Sequence, residues 1–488
     1  MDSGTSPSQE THDRDFRTEP GPDPGPGDPP QASRDKVLAV GQALAQTVRH
    51  FWPDFPSWLD DLPDTRFQPY CTYSRRFLVW WGLLLFACKL GRTRELDYQL
   101  RDLETGVLPN VNALAQTEQE SLPVYGTLSH FLGHVGSEPL GRLRTQMVRQ
   151  LIRNKVFDDQ RLLGAVVVVI DGTGHVSFGK RHCPHCLTQT HGDVTYYYHQ
   201  VLEAKLITAS GLALSLGSEF IDNHHFSGPA DAGQEARKQD CELKAFARLA
   251  AELKCDFPQL RLCLSADALM ACGAVLQTCT ENEWHYVLTF KPGHMPAIWE
   301  DFQGLLSLCP GQVRRLDTPD GRHLEYRWVN GLSYTDDQGR SHTFDAIQCR
   351  QTQGDTCTTF AWITDWSVTA DNVIAIAEKG GRDRWTIENQ GFNTQKNGGY
   401  ELEHVYGAEP DLLKCFYFLL QIAHIILQLL EKGSLLRRTA LQYGKSVLAL
   451  YGSLRNIARR LLDCLRYRRI PAEAFQPNPR IQIRLDSS

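Results

Sequence analysis

The sequence predicts an α/β protein: a mixed sheet core, interrupted by an antiparallel β insertion and flanked by N- and C-terminal helical regions. Three observations carry this. Residues 165–171 (AVVVVID) form an unbroken β-branched run ending in an acid, the pattern of a central strand buried on both faces. Strand patterns at 195–206 and 212–221 follow, then a helical pattern at 233–254, a strand at 260–266, a short helix and a strand at 285–290. Strands alternating with helices in this order belong to one sheet. Residues 291–365 then alternate apolar and polar and carry the turn signals of 318–321 (TPDG), 337–339 (DQG) and 353–354 (QG), so LEYRWV, TFDAIQCR and TTFAWIT read as antiparallel strands.

The chain divides accordingly. Residues 1–35 are an acidic, Pro/Gly-rich tail with seven prolines, expected to be disordered. Residues 36–160 read as helical, with loops at 52–56 and 108–112, and form either a small DNA-binding domain or a plain helical bundle. Residues 161–290 are the first part of the core, 291–370 the β insertion, and 371–410 the second part with a helix carrying Glu388. Residues 411–470 are a helical region and 471–488 a tail.

At 488 residues the chain is too long for one ordinary core. Its net charge of -6 speaks against a nucleic-acid partner until the tail is set aside. Residues 1–35 hold eight acids and three arginines, a charge of -5, which leaves -1 for the rest. Residues 141–155 carry five bases and no acid, and 455–469 six arginines and one acid. Such runs are either solvated helix faces or contacts for a phosphate backbone. The 14 cysteines follow no even framework and no apolar leader is present, so a reducing cytoplasm is expected. The apolar runs 77–90 and 415–430 are respectively too short and too often interrupted by polar residues for membrane spans, and read as buried helices.

Three acids stand out by position. Asp171 ends the first core strand, Asp267 ends a later one, and Glu388 lies on the helix after the insertion. Acids at strand ends sit where sheet enzymes build their sites. Two aspartates and a glutamate are hard oxygen ligands suited to Mg²⁺ or Mn²⁺. Two such ions about 4 Å apart can activate a water or a 3′-hydroxyl and stabilise a leaving 3′-oxygen.

Around Glu388 the chain reads Arg384-Trp385-Thr386-Ile387-Glu388, then Phe392 and Lys396. This resembles the RWxIE…F…K signature of bacterial insertion-sequence transposases with a DDE site and a β-strand insertion. Asp171-Gly172-Thr173 resembles their first aspartate motif, 266–269 (ADAL) their second, and 289–291 (TFK) the strand that follows. The likeness covers about residues 160–430. It implies a ribonuclease H-like core whose catalytic, metal-holding acids are Asp171, Asp267 and Glu388, with two Mg²⁺ or Mn²⁺ per site. It further implies double-stranded DNA as partner (transposon ends and target), a homodimer on paired ends, a cut-and-paste route, and work in the bacterial cytoplasm at the nucleoid, with no membrane. Arg384 and Lys396 would contact DNA. The alternatives are a nuclease with the same core and a non-catalytic DNA-binding protein derived from a transposase. Two departures stand out. The family often has Tyr where this chain has Gly381, and it spaces Glu and Lys by seven positions where this chain uses eight, so Gln395 holds the lysine's place. An extra residue near Gly391 is expected to form a π-bulge that restores the phase of Lys396.

Cys183 and Cys186, with His182, His185 and His191 or His175, could form a structural zinc site; the alternative is a β-hairpin extension with reduced thiols. His224 and His225 read as loop residues. Trp328, Tyr334, Trp362 and Trp366 in the insertion are either core or a base-stacking surface.

Overall fold

The computed structural model describes residues 30–101, 106–223, 240–476 and 483. His224, His225, residues 1–29 of the tail and most of 471–488 lie outside that set. The first helix, α1 (Pro30–Phe51), starts within the stretch expected to be disordered. Proline suits a helix's first turn, where its missing N–H costs nothing. The buried Lys36 then places its ammonium 5.0 Å from the Tyr443 ring centre.

The N-terminal region continues through α2 (Phe55–Asp60), α3 (Arg75–Ala87), the short α4 (Arg94–Leu96), α5 (Val107–Ala115), α6 (Tyr125–Val135) and α7 (Ser137–Arg153). The loop expected at 108–112 is therefore helical. Pro109 sits in the first turn of α5, and Asn110 is buried rather than turning the chain. Its amide donates to the carbonyls of Leu465 (3.1 Å) and Arg468 (2.7 Å) and accepts from Ile470 N–H (3.0 Å), bonds to partners more than 350 residues away. From Phe77 to Ala87, α3 is buried on every side. A helix apolar all round must be interior.

β1 (Val166–Phe178), β2 (Leu187–His191), β3 (Val194–Ile207) and β4 (Ala213–Ile221) come next, then α8 (Glu242–Asp256), β5 (Leu262–Ala266), α9 (Gly273–Asn282) and β6 (His285–Thr289). Of the helix expected at 233–254, residues 233–239 are outside the described set; Asp240 precedes the helix, buried and paired with Arg248 at 2.6 Å. After α10 (Pro296–Leu308) the insertion supplies β7 (Val313–Asp317), β8 (His323–Thr335), β9 (Ser341–Gln353) and β10 (Thr356–Thr364).

The ten strands among the described residues form one mixed sheet, with path β2-β3-β1-β5-β6-β10-β9-β8-β7 and β4 also on β3. β1 is antiparallel to β3 but parallel to β5, and β5 is parallel to β6. The insertion is thus no separate layer: β10 pairs antiparallel with β6 and prolongs the core sheet. Trp328 and Trp362 are buried in it, and Trp366 stacks on His285, which favours core over base stacking for these three.

Two apolar clusters flank the sheet. On one face Val166, Val168, Ile170, Leu262 and Leu264 meet α8 and the helical regions. On the other, Val167, Val169, Cys263 and Val287 pack with Ile376, Ala377, Ile387 and Phe392 from the segment that carries Glu388. That segment opens with α11 (Val373–Ala375) and closes with α12 (Asn393–Asn397). The C-terminal helices are α13 (Pro410–Lys432), α14 (Ser434–Gln442), α15 (Val447–Tyr451) and α16 (Leu454–Tyr467). Among the described residues, only α13 is long and apolar enough to cross a membrane, and 89% of its apolar window is buried in the protein. Its polar interruptions bond internally: Gln421 with Gln395 (2.8 Å) and Lys205 (2.9 Å), and Gln428 with the backbone of Ala213.

Candidate active site

Asp171 and Asp267 occupy equivalent places on adjacent parallel strands. Ile170 pairs with Ala266, and each aspartate is the next residue. Asp171 does not end its strand, as the sequence suggested; β1 runs on to Phe178, held by β3 alone where β5 has stopped. The acid thus lies where β1 outruns its neighbour, beside an open edge. Asp267 leaves its strand and caps a single 3₁₀ turn, accepting from Leu269 N–H at 2.9 Å. In β1, Val167, Val169 and Asp171 alternate onto one face, and the two valines pack there with Ile387 and Phe392 on either side of Glu388.

The helix of Glu388 is irregular. Ile376–Gly381 and Ile387–Phe392 are π-helical, with a 3₁₀ turn between them. The second π segment contains Glu388 and Gly391, so the extra residue is absorbed where the spacing suggested. Glycines bring the segment against the sheet. A Cβ on Gly391 would stand 3.3 Å from the Lys205 side chain, and one on Gly381 would overlap Trp362, which fills the space a larger residue at 381 would need. Ser265 Oγ donates to the Gly380 carbonyl at 2.6 Å, fixing the segment to β5 two residues before Asp267.

The acids act on one another. Burial raises the Asp171 carboxyl to about 6; Arg384 pulls it down, while the charges of Asp267 and Glu388 push it up. They do not close into a tight cluster. Among the described residues, the only three His, Cys, Asp or Glu side chains with ligand atoms all within 4.8 Å of one another are Cys183, Cys186 and His199. Arg384 Nη1 lies 3.3 Å from Asp171 Oδ2, so its partner is the first aspartate rather than Glu388. Trp385 beside it is exposed.

Glu242 falls within the helical pattern at 233–254 and has no part in the site expected from the sequence. Glu242 is the first residue of α8, and its carboxylate occupies the space a side chain at Gly172 would need. Burial and then the charges of Asp171 and Asp267 raise its carboxyl. No local pattern could have shown this, because the helix starts 70 residues after Gly172 and is placed by the sheet.

Lys396 and Gln395 have separated roles. Gln395 is fully buried, bonded to Gln421 and His424, and cannot reach a ligand. Lys396 is partly exposed and pairs with Glu403 at 2.9 Å. The Glu403 carboxylate lies close to Gly174, three residues beyond Asp171.

The thiol site differs from expectation. The third group beside Cys183 and Cys186 is His199, on β3, not a histidine next to the CxxC. His182 bonds the Ala408 carbonyl (2.7 Å) and stacks on Phe178, and His191 ends β2, exposed. His175 is buried against Tyr417. His185 lines a pocket with His175, His199 and Asp222. The basic run 141–155 is also only partly a surface: Arg144 is buried and donates to Ser215 (2.8 Å) and Ser218 (3.0 Å).

No protein-family model and no curated protein matches this sequence.

Proposed function

We propose that the protein is a DDE-type DNA transposase with a ribonuclease H-like core, in which Asp171, Asp267 and Glu388 are catalytic. One observation carries the reading: two aspartates follow register-paired residues of adjacent parallel strands, and the glutamate's helix packs on the same face. The order of elements in the core, with β1, β3 and β4 antiparallel and then β5 and β6 parallel and each reached through a helix, supports the fold assignment.

The donor set fits a hard divalent cation. It offers carboxylate oxygens only, and a cation would compensate the burial, and with it the charges of Asp267 and Glu388, that raise the Asp171 carboxyl to about 6. Asp171, Asp267 and Glu388 would hold Mg²⁺ or Mn²⁺, which supplies Lewis acidity for activating a nucleophile and neutralising a leaving oxygen. Arg384, whose guanidinium pairs with Asp171, would offer its planar donors to a DNA phosphate. Trp385 offers a stacking face for a base. In the first step a water oxygen bonds to phosphorus, the P–O3′ bond breaks, and the 3′-oxygen leaves as a hydroxyl. In the second, that hydroxyl's oxygen attacks a target phosphorus and releases the target's own 3′-hydroxyl. The resemblance extends the reading to a homodimer on paired ends, acting on chromosomal DNA in the bacterial cytoplasm.

The test is incubation of the purified chain with duplex DNA spanning the boundaries of its coding element. Nicks with 3′-hydroxyl ends are expected in Mg²⁺ or Mn²⁺, and none in chelator or with Asp171→Asn. Cleavage that persists in chelator overturns the mechanism. DNA binding without cleavage, unchanged in Asp267→Asn, marks a non-catalytic binding protein instead.

A further inference from the structure

The segment between β1 and β2 folds as a compact turn. Cys186 N–H donates to the Cys183 carbonyl at 3.4 Å, and Cys183 N–H points at Cys186 Sγ at 3.4 Å. Asn223 anchors the turn from the end of β4, its amide donating to the Cys186 carbonyl (3.1 Å) and its backbone N–H to the His185 carbonyl (2.9 Å).

His199 meets this turn from β3, opposite Val176 of β1. Its Nε2 lies 3.3 Å from Cys183 Sγ and 3.5 Å from Cys186 Sγ, and the sulfurs are 3.6 Å apart. A tetrahedral zinc with ordinary Zn–S and Zn–N bonds needs ligand separations of about 3.8 Å (S to S) and about 3.6 Å (S to N). The three atoms therefore already form nearly one face of such a tetrahedron. All three residues are buried, at 9%, 1% and 9% exposure. His199 also lines a pocket with His185 and Asp222.

We propose that Cys183, Cys186 and His199 bind a structural Zn²⁺ that ties the β1–β2 turn to β3. The ion displaces two thiol protons and changes no oxidation state. The site does not depend on the assignment of the acids. Its ligand set also differs from the one that CxxC spacing alone suggested, since His182 and His191 take no part.

Metal analysis of the full chain purified without chelator tests this. About one zinc per chain is expected, and Co²⁺ in its place should give a thiolate-to-cobalt charge-transfer band and the visible spectrum of a tetrahedral ion. Cys186→Ser and His199→Ala should each lower zinc retention by about tenfold or more, while His182→Ala and His191→Ala retain it. If the two ligand variants do not fold, the cobalt spectrum of the unmutated protein and the retention by His182→Ala and His191→Ala still decide. A folded protein that takes up neither ion overturns the proposal, as does a Cys183–Cys186 disulfide found by mass spectrometry in chain isolated under reducing conditions. Loss of zinc in His191→Ala with retention in His199→Ala overturns the ligand assignment.

Discussion

The two donor clusters of this protein both adjoin β1, with Asp171 on the strand and Cys183 in the turn that follows it, yet they are built in opposite ways. The sulfur and imidazole donors are closed to 3.3–3.6 Å and largely buried. The carboxylates are held near one another without closing, Glu388 is exposed, and Arg384 occupies one side of Asp171. A site that only holds the fold together gains from full preorganisation, whereas one that must admit a substrate has to keep open positions. The boundary between them is local. His175 is an extra residue in the pairing of β1 with β3, and this bulge separates the register of Asp171 from that of Val176 and His199. Bulges re-aim side chains beside functional sites.

The largest effect that would break this contrast is loss of one acid. Asp267→Asn should reduce cation-dependent strand cleavage by about a thousandfold or more, roughly 4 kcal/mol of barrier, while zinc content stays at the unmutated level. Cleavage assays and metal analysis on the same preparation check both halves. Loss of both together would mean that the two clusters are one structural unit.

The reverse experiment is Cys186→Ser. Thermal melting should fall by several degrees as the β1–β2 turn loses its tie, with cleavage per folded molecule nearly retained.

The pH response sharpens the comparison. The Asp171 carboxyl, near 4 in an unfolded chain, is raised to about 6 in the fold. The native state then holds a proton that the unfolded state has lost, so the metal-free protein should lose stability as pH rises from about 4 to about 6, with the full penalty above that. Melting in chelator across this range should show the slope, and Asp171→Asn should flatten it. Divalent-cation affinity should rise over the same interval, because only the ionised carboxylate binds. A slope unchanged in Asp171→Asn would place the titration elsewhere.

Glu242→Gln tests the carboxylate against Gly172. Removing its charge should ease ionisation of Asp171 and move the midpoint of the pH–cleavage profile to lower pH, with maximal rate altered by about threefold or less, a barrier change below ~1 kcal/mol. A shift to higher pH would contradict the assigned repulsion. The smallest effect belongs to Lys396→Ala, which should weaken DNA binding and reduce its salt dependence by about one phosphate contact. Gln395→Ala should instead lower stability and leave the salt dependence unchanged, since its amide is buried with Gln421 and His424.

By itself the sequence determined the local grammar. The β-branched run at 166–170 had to be a buried strand, the alternation of 323–364 had to be antiparallel, and the apolar runs of α3 and α13 had to be interior helices. The spacing around Gly391 also located the π-helix, because an extra residue in a helix is absorbed close to where it is inserted. Tertiary structure decided what depends on partners distant in sequence. Pro109 and Asn110 read as a loop until the C-terminal segment offers carbonyls and an N–H for the asparagine to bond. Glu242 is one acid in a helical pattern until α8 is laid against β3 and β4. His199 reads as one residue in a strand, and its ring meets the CxxC only because β3 returns antiparallel beside β1. Periodicity and turn chemistry act over a few residues and are written in the chain; register and packing are settled only when the whole sheet forms, which is why the acids could be named from sequence while their neighbours could not.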